Sequence, residues 1–148
     1  MLLNSMSELF SVFQPGRALQ DGGALAQLVG VLFSTEDDIT AAAGGGQDDA
    51  RRLTASSNRV KTVETSEDSV MLPLAIPGRT VTIENATATT LGVFGDPANP
   101  NTGAGDTIAA AASATQEATA TGVTQPATAL GVYVCVKAGE WKQGLLVT

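Results

Sequence analysis

The residues of this chain that could do chemistry are mostly acidic. Asp37-Asp38 follow Glu36, and Asp48-Asp49 come shortly after. Paired carboxylates can hold a divalent cation or divide general-acid and general-base work. These pairs are neighbours in a polar stretch, Glu36 to Arg52, that contains Ala41-Ala42-Ala43-Gly44-Gly45-Gly46, so they read as a solvated connector. Asp96, Asn99, Asn101 and Asp106 carry oxygens at loose spacing. They miss the pattern of a calcium loop and its closing glutamate, and Pro97 and Pro100 account for a stiff loop. Asn85-Ala86-Thr87 matches the glycosylation acceptor but reads as a strand end and turn. Gly44-Gly45-Gly46 lacks the Gly-Lys-Ser/Thr that a phosphate loop needs.

The inventory removes several classes of function. There is no histidine, so neither an imidazole base nor an imidazole metal ligand is available. Cys135 is the sole cysteine and has no histidine to activate it, which also removes Cys/His zinc sites. A net charge of −7 repels phosphates, so no nucleic-acid partner is expected. No run approaches the roughly 18 apolar residues of a membrane span. Met1–Phe13 lacks a basic start and a continuous apolar centre, so it is not read as a secretory signal. The expectation is a soluble, intracellularly made protein that is not an enzyme and carries no cofactor or metal. Arg51, Arg52, Arg59 and Lys61 form a locally basic segment suited to an acidic partner surface. Trp141, the only tryptophan, reads as an anchor of the core or of a subunit interface.

Three zones position these residues. Residues 1–20 mix Leu9, Phe10, Val12 and Phe13 with polar residues and Pro15-Gly16, the pattern of an extended arm. Residues 21–52 open with a short helix, because Leu25, Leu28, Val29 and Leu32 recur at helical spacing after the N-cap candidate Asp21, and continue as the Gly-rich connector. Residues 53–148 hold short β-branched runs divided by turn residues, the pattern of an all-β sandwich or barrel. Val81 and Ile83 share one face, and Leu91 and Val93 share another. Leu130, Val132, Val134 and Val136 line one side of the best strand, with Tyr133 and Cys135 on the other. Lys137-Ala138-Gly139-Glu140 is its turn, with Gly139 free to take a positive φ, and Trp141–Thr148 returns as the second strand of the hairpin. Ala109–Thr128 is nearly all small residues and specifies little. No long repeat is visible. Ala is the commonest hydrophobic residue and aromatics are 4% of the chain, so burial per residue is modest and further burial between copies is the natural remedy.

The series Val60-Lys61-Thr62-Val63, Asp68–Pro73, Gly78–Asn85, Leu91–Phe94, Gly105–Ile108 and Val132–Trp141 resembles the small β-sandwich modules of tailed-phage virion proteins, most nearly the capsid decoration (cement) proteins. The resemblance covers about 90 residues and rests on punctuation: a proline after a strand, an Asn at a strand end, a Gly-x-Trp hairpin. It implies a mainly β, jelly-roll-like sandwich of short antiparallel strands without catalytic residues. It also implies a homotrimer binding the major capsid protein on the outer surface of the virion, after synthesis in the host cytoplasm. On that reading Leu9, Phe10, Val12, Phe13, Leu25, Leu28, Val29, Leu32, Arg51, Arg52 and Trp141 are the candidate capsid or subunit contacts. A head or tail fibre component is the alternative, and a glycan-binding sandwich using Tyr133 or Trp141 is a third.

Overall fold

The computed structural model of the chain describes residues 34–113, 115–118 and 120–147. The expected arm and helix, with Leu9, Phe10, Val12, Phe13, Leu25, Leu28, Val29 and Leu32, lie outside the described residues. Contacts divide the chain after Ser34, and the unit Thr35–Thr148 is described by itself.

Among the described residues the strands are β1 (Thr35–Thr40), β2 (Arg51–Arg52), β3 (Ser57–Thr62), β4 (Ser69–Met71), β5 (Thr80–Asn85), β6 (Leu91–Phe94), β7 (Thr107–Ala109), β8 (Val123–Gln125), β9 (Ala129–Lys137) and β10 (Glu140–Val147). They form a six-stranded sheet in the order β1-β3-β5-β9-β10-β7 and a four-stranded sheet in the order β2-β4-β6-β8. The unit is mainly β and two-sheeted, as the short alternating runs indicate. Its start is a correction. The expected boundary at Leu53 falls too late, because β1 and β2 lie in the stretch read as helix and connector. Only Ile39 of β1 is both apolar and buried, so no alternation marks that strand.

Pairing is a second correction. β1 and β3 are parallel, as are β3 and β5, β2 and β4, β4 and β6, and β7 and β10. Antiparallel pairing joins β5 to β9, β9 to β10, and β6 to β8. From β1 to β6 the chain visits the two sheets in turn. Each passage through one sheet is therefore the crossover that a parallel pair in the other requires. The breaks between strands, such as Leu72–Arg79 with its two prolines, carry the chain to the opposite sheet rather than back along the same one. The coils are unequal: Thr35 stands beside Ser57, but Ser57 stands beside Thr82. That hides the period in the sequence.

The inward residues of both sheets make one core. Ile39, Val60, Val81, Ile83, Ile108, Tyr133, Cys135 and Trp141 of the larger sheet meet Val70, Leu91, Val93 and Val123 of the smaller. Sheet edges are blunted against further pairing. In β1 the register slips between Glu36 and Ile39, with Asp38 at φ 63°. β2 is two arginines, and β7 and β8 are three residues each. Gly139 takes φ 78° in the β9–β10 turn, as that turn requires.

Candidate functional site

The acidic pairs prove to be local structure. Asp37 Oδ2 lies 3.1 Å from Lys61 Nζ across the exposed side of β1 and β3. The Lys61 hydrogen bond, aided by the Asp38 backbone N–H, holds the Asp37 carboxyl below the usual carboxylate range. Asp48 and Asp49 sit exposed in a turn. Among the described residues, no group of three or more His, Cys, Asp or Glu is placed to hold a metal ion.

The loop oxygens turn inward. Asp106 is fully buried, where Oδ2 accepts the Ala75 N–H at 2.7 Å and Oδ1 accepts the Asn99 amide at 2.6 Å. Asn99 Oδ1 accepts the Asn101 N–H, and Asp96 Oδ1 accepts that of Ala98. The Asp106 carbonyl would lie 2.6 Å from a Cβ on Gly95, so only glycine permits this approach of the loop's two ends. These oxygens staple a loop, which is why they lack ligand spacing. Asn85 is likewise committed: it is fully buried, and its amide donates to the Thr89 and Pro126 carbonyls, leaving no free nitrogen for a glycan.

Arg51 and Arg52 lie exposed on β2. Arg51 pairs with Glu36 at 2.8 Å, and Arg52 pairs with Asp96, whose side chain is only 7% exposed. Arg59 pairs with Glu84 at 3.1 Å. The basic segment is thus answered largely within the chain. Trp141 is fully enclosed in the core, and its register partner on β7 is Ile108. The core-anchor reading of Trp141 describes its position. As a contact residue it needs correction, since a side chain without exposed surface has none to give a partner. Tyr133 is equally enclosed, so neither of the rings named for a sugar platform is open. Cys135 is buried and donates to the Lys137 carbonyl at 3.1 Å, and its burial pushes the thiol pKa up, away from the reactive thiolate.

Two features escaped sequence reasoning. The first is a buried polar network between the sheets. Tyr133 Oη donates to Gln125 Oε1 and accepts from Gln143 Nε2, both at 3.0 Å, and Gln125 Nε2 donates to the Ile83 and Ala129 carbonyls. Burial raises the Tyr133 pKa well above its ordinary value. The clue was present: Gly131 leaves the space that Gln125 fills, because a Cβ there would lie 2.5 Å from Gln125 Oε1.

The second is which side of β9 faces out. Ala129, Gly131, Tyr133 and Cys135 point inward and are buried. The heavier aliphatic set, Leu130, Val132, Val134 and Val136, points outward, with Val134 36% and Val136 59% exposed. Leu146 of β10, 62% exposed, stands opposite Leu130, and Gly144 stands opposite Val132. Lys142 stands opposite Val134, but its ammonium is bonded to the Ala110 and Ser113 carbonyls. On the other flank, β5 contributes Thr80, Thr82 and Glu84. The result is an aliphatic row running along β9 on the outer face of the larger sheet.

A cleft of 380 Å³ also opens beside the smaller sheet, with Phe94, Gly92, Gly122 and Val123 among its walls and Glu67, Glu117 and Thr121 contributing polar groups. It could take up a small polar or cationic group. Its two carboxylates come from separate connections, one between β3 and β4 and the other between β7 and β8. No protein-family model, curated protein or solved structure matches the chain.

Proposed function

We propose that the chain is a structural virion protein of a tailed phage: a capsid decoration (cement) protein that binds in multiple copies across major capsid subunits and stabilises the expanded head. On this reading it acts by holding surfaces together and catalyses nothing. The observation that carries the proposal is the outward aliphatic row on β9, an adhesive surface where a freestanding two-sheet protein would be expected to alternate to polar residues. Support also comes from how the polar groups are spent. Asp106, Asn99, Asp68, Gln125 and Tyr133 are tied into internal bonds that stiffen the unit.

The mechanism is linkage. A protein that binds only the expanded shell lowers the free energy of that shell, and several weak contacts made together multiply into useful avidity. The test is stoichiometry on purified particles by quantitative mass spectrometry. Copies on the order of hundreds per particle support cementing of a repeated lattice. A count of a dozen or fewer assigns the chain to a fibre or its base, and turnover of any substrate by the purified chain rejects the reading.

A further inference from the structure

Negative charge without an answering cation collects at the cleft beside the smaller sheet. The chain carries −7, and every lysine and arginine among the described residues is already engaged. Arg51, Arg52, Arg59, Lys61 and Lys137 pair with Glu36, Asp96, Glu84, Asp37 and Glu140. Arg79 donates to the Leu74 carbonyl. Lys142 reaches one wall of the cleft, Ala110, and is spent there on the Ala110 and Ser113 carbonyls. Glu67 is exposed and Glu117 half-buried, and no described residue donates a hydrogen bond or an ion pair to either carboxylate. Asp49 adds to the surplus. Its carboxylate lies over Gly44 and that of Glu67 over Gly45, where a Cβ would stand 3.1 Å and 2.8 Å from the oxygens. Gly45, at φ 69°, belongs to the cleft wall, so the triple-glycine turn seats two acids at one place. Like charges gathered without a cation weaken a fold, a cost that binding sites carry for function.

The walls select the kind of cation. The cleft holds 380 Å³, within the roughly 300–1,000 Å³ of ligand pockets. Phe94, Val123 and Ala110 give it an apolar side that Gly122 keeps clear, since a Cβ there would lie 2.7 Å from the Phe94 ring. A bare divalent ion fits poorly, because no three acidic groups among the described residues converge as metal ligands. A free polyamine also fits poorly, because its second ammonium would rest unpaired on the apolar side. A lysine or arginine side chain suits both parts. Its aliphatic stem matches the apolar side, its single cationic head matches the carboxylates, and its far end is neutral backbone.

We infer that this cleft takes a lysine or arginine side chain from an exposed segment of a partner protein, with Glu67 and Glu117 receiving its charge. The inference deepens the reading above and rests on it for the partner's identity, a capsid subunit. The experiment is amide proton–nitrogen NMR of the full-length chain. It is titrated with the capped tripeptide acetyl-Gly-Lys-Gly-amide, its arginine and norleucine counterparts, and magnesium chloride. Saturable shifts of the Gly45, Gly92 and Gly122 amides are expected with the lysine or arginine peptide, and none with norleucine or magnesium. The double variant Glu67→Gln, Glu117→Gln weakens peptide binding about tenfold or more. Its denaturant midpoint holds or rises, because it loses only charge repulsion. Absence of those shifts, equal shifts with norleucine or magnesium, undiminished binding by the double variant, or a lowered midpoint overturns the inference. Head binding is measured separately, so a chain that takes the lysine peptide but ignores heads refutes the decoration reading and leaves this one standing.

Discussion

Asn99 donates its side-chain amide to Asp106 Oδ1 at 2.6 Å, and both side chains are buried. That bond and the one from the Ala75 N–H neutralise the penalty of enclosing Asp106 and close the loop between β6 and β7. Asp106→Ala leaves the buried Ala75 N–H without an acceptor and takes the shorter of the two bonds made by the Asn99 amide, whose other bond runs to the Ala75 carbonyl, so a loss of about 2–4 kcal/mol is expected in urea unfolding. Asn99→Ala costs less, because the Ala75 bond to Asp106 survives.

Tyr133 couples the sheets through its hydroxyl. Tyr133→Phe preserves the ring and strands Gln125 Oε1, while Gln143 keeps its bond to the Thr124 carbonyl. Stability falls by about 1–3 kcal/mol. Tyr133→Phe combined with Gln125→Leu recovers part of that loss, since the buried orphan is removed with its partner. Thermal unfolding of the single and double variants measures the difference.

Arg51 and Arg52 are adjacent but unequal. Glu36, the partner of Arg51, is partly exposed, so Arg51→Ala changes stability by less than about 1 kcal/mol. Arg52 faces the nearly enclosed Asp96, so Arg52→Ala leaves a poorly solvated carboxylate without its cation and costs more. Denaturant midpoints of the two variants rank them.

Asp68 sets an acid limit. It accepts from the Thr65 hydroxyl at 2.8 Å and the Glu64 N–H at 2.7 Å, and these bonds hold its carboxyl below the ordinary range. A folded-state pKa below the unfolded one gives stability that is present above the unfolded value and lost as pH falls through the folded value. Melting temperature should therefore drop on acidification below the usual carboxylate range, with a shallower drop in Asp68→Asn.

Part of each sheet was legible. Val81 and Ile83 on one face of β5, Leu91 and Val93 in β6, and the Gly139 turn stand where alternation and turn chemistry place them. β1 was not legible, because Glu36, Asp37 and Asp38 leave Ile39 as its single buried apolar residue. The parallel stacking was hidden by unequal coils, and β8 by a stretch of small residues in which Val123 alone is a large aliphatic. The facing of β9 was hidden for a subtler reason. Both of its sides are apolar, and bulk alone favours the wrong one. Only the partners of Tyr133 show that the side with Gly131 faces the core.

Trp141 reports on the core and not on assembly. Trp141→Ala removes the largest fully buried side chain and is expected to cost about 3–5 kcal/mol in unfolding experiments. An unfolding free energy unchanged by Trp141→Ala would contradict its placement.

The central claim is adhesion to an expanded shell, and co-sedimentation of the full-length chain with phage heads tests it most directly. Saturable binding to expanded heads, with little to unexpanded ones, and a raised temperature of head disruption are the expected results. Equal binding to both forms, or none to either, contradicts the account.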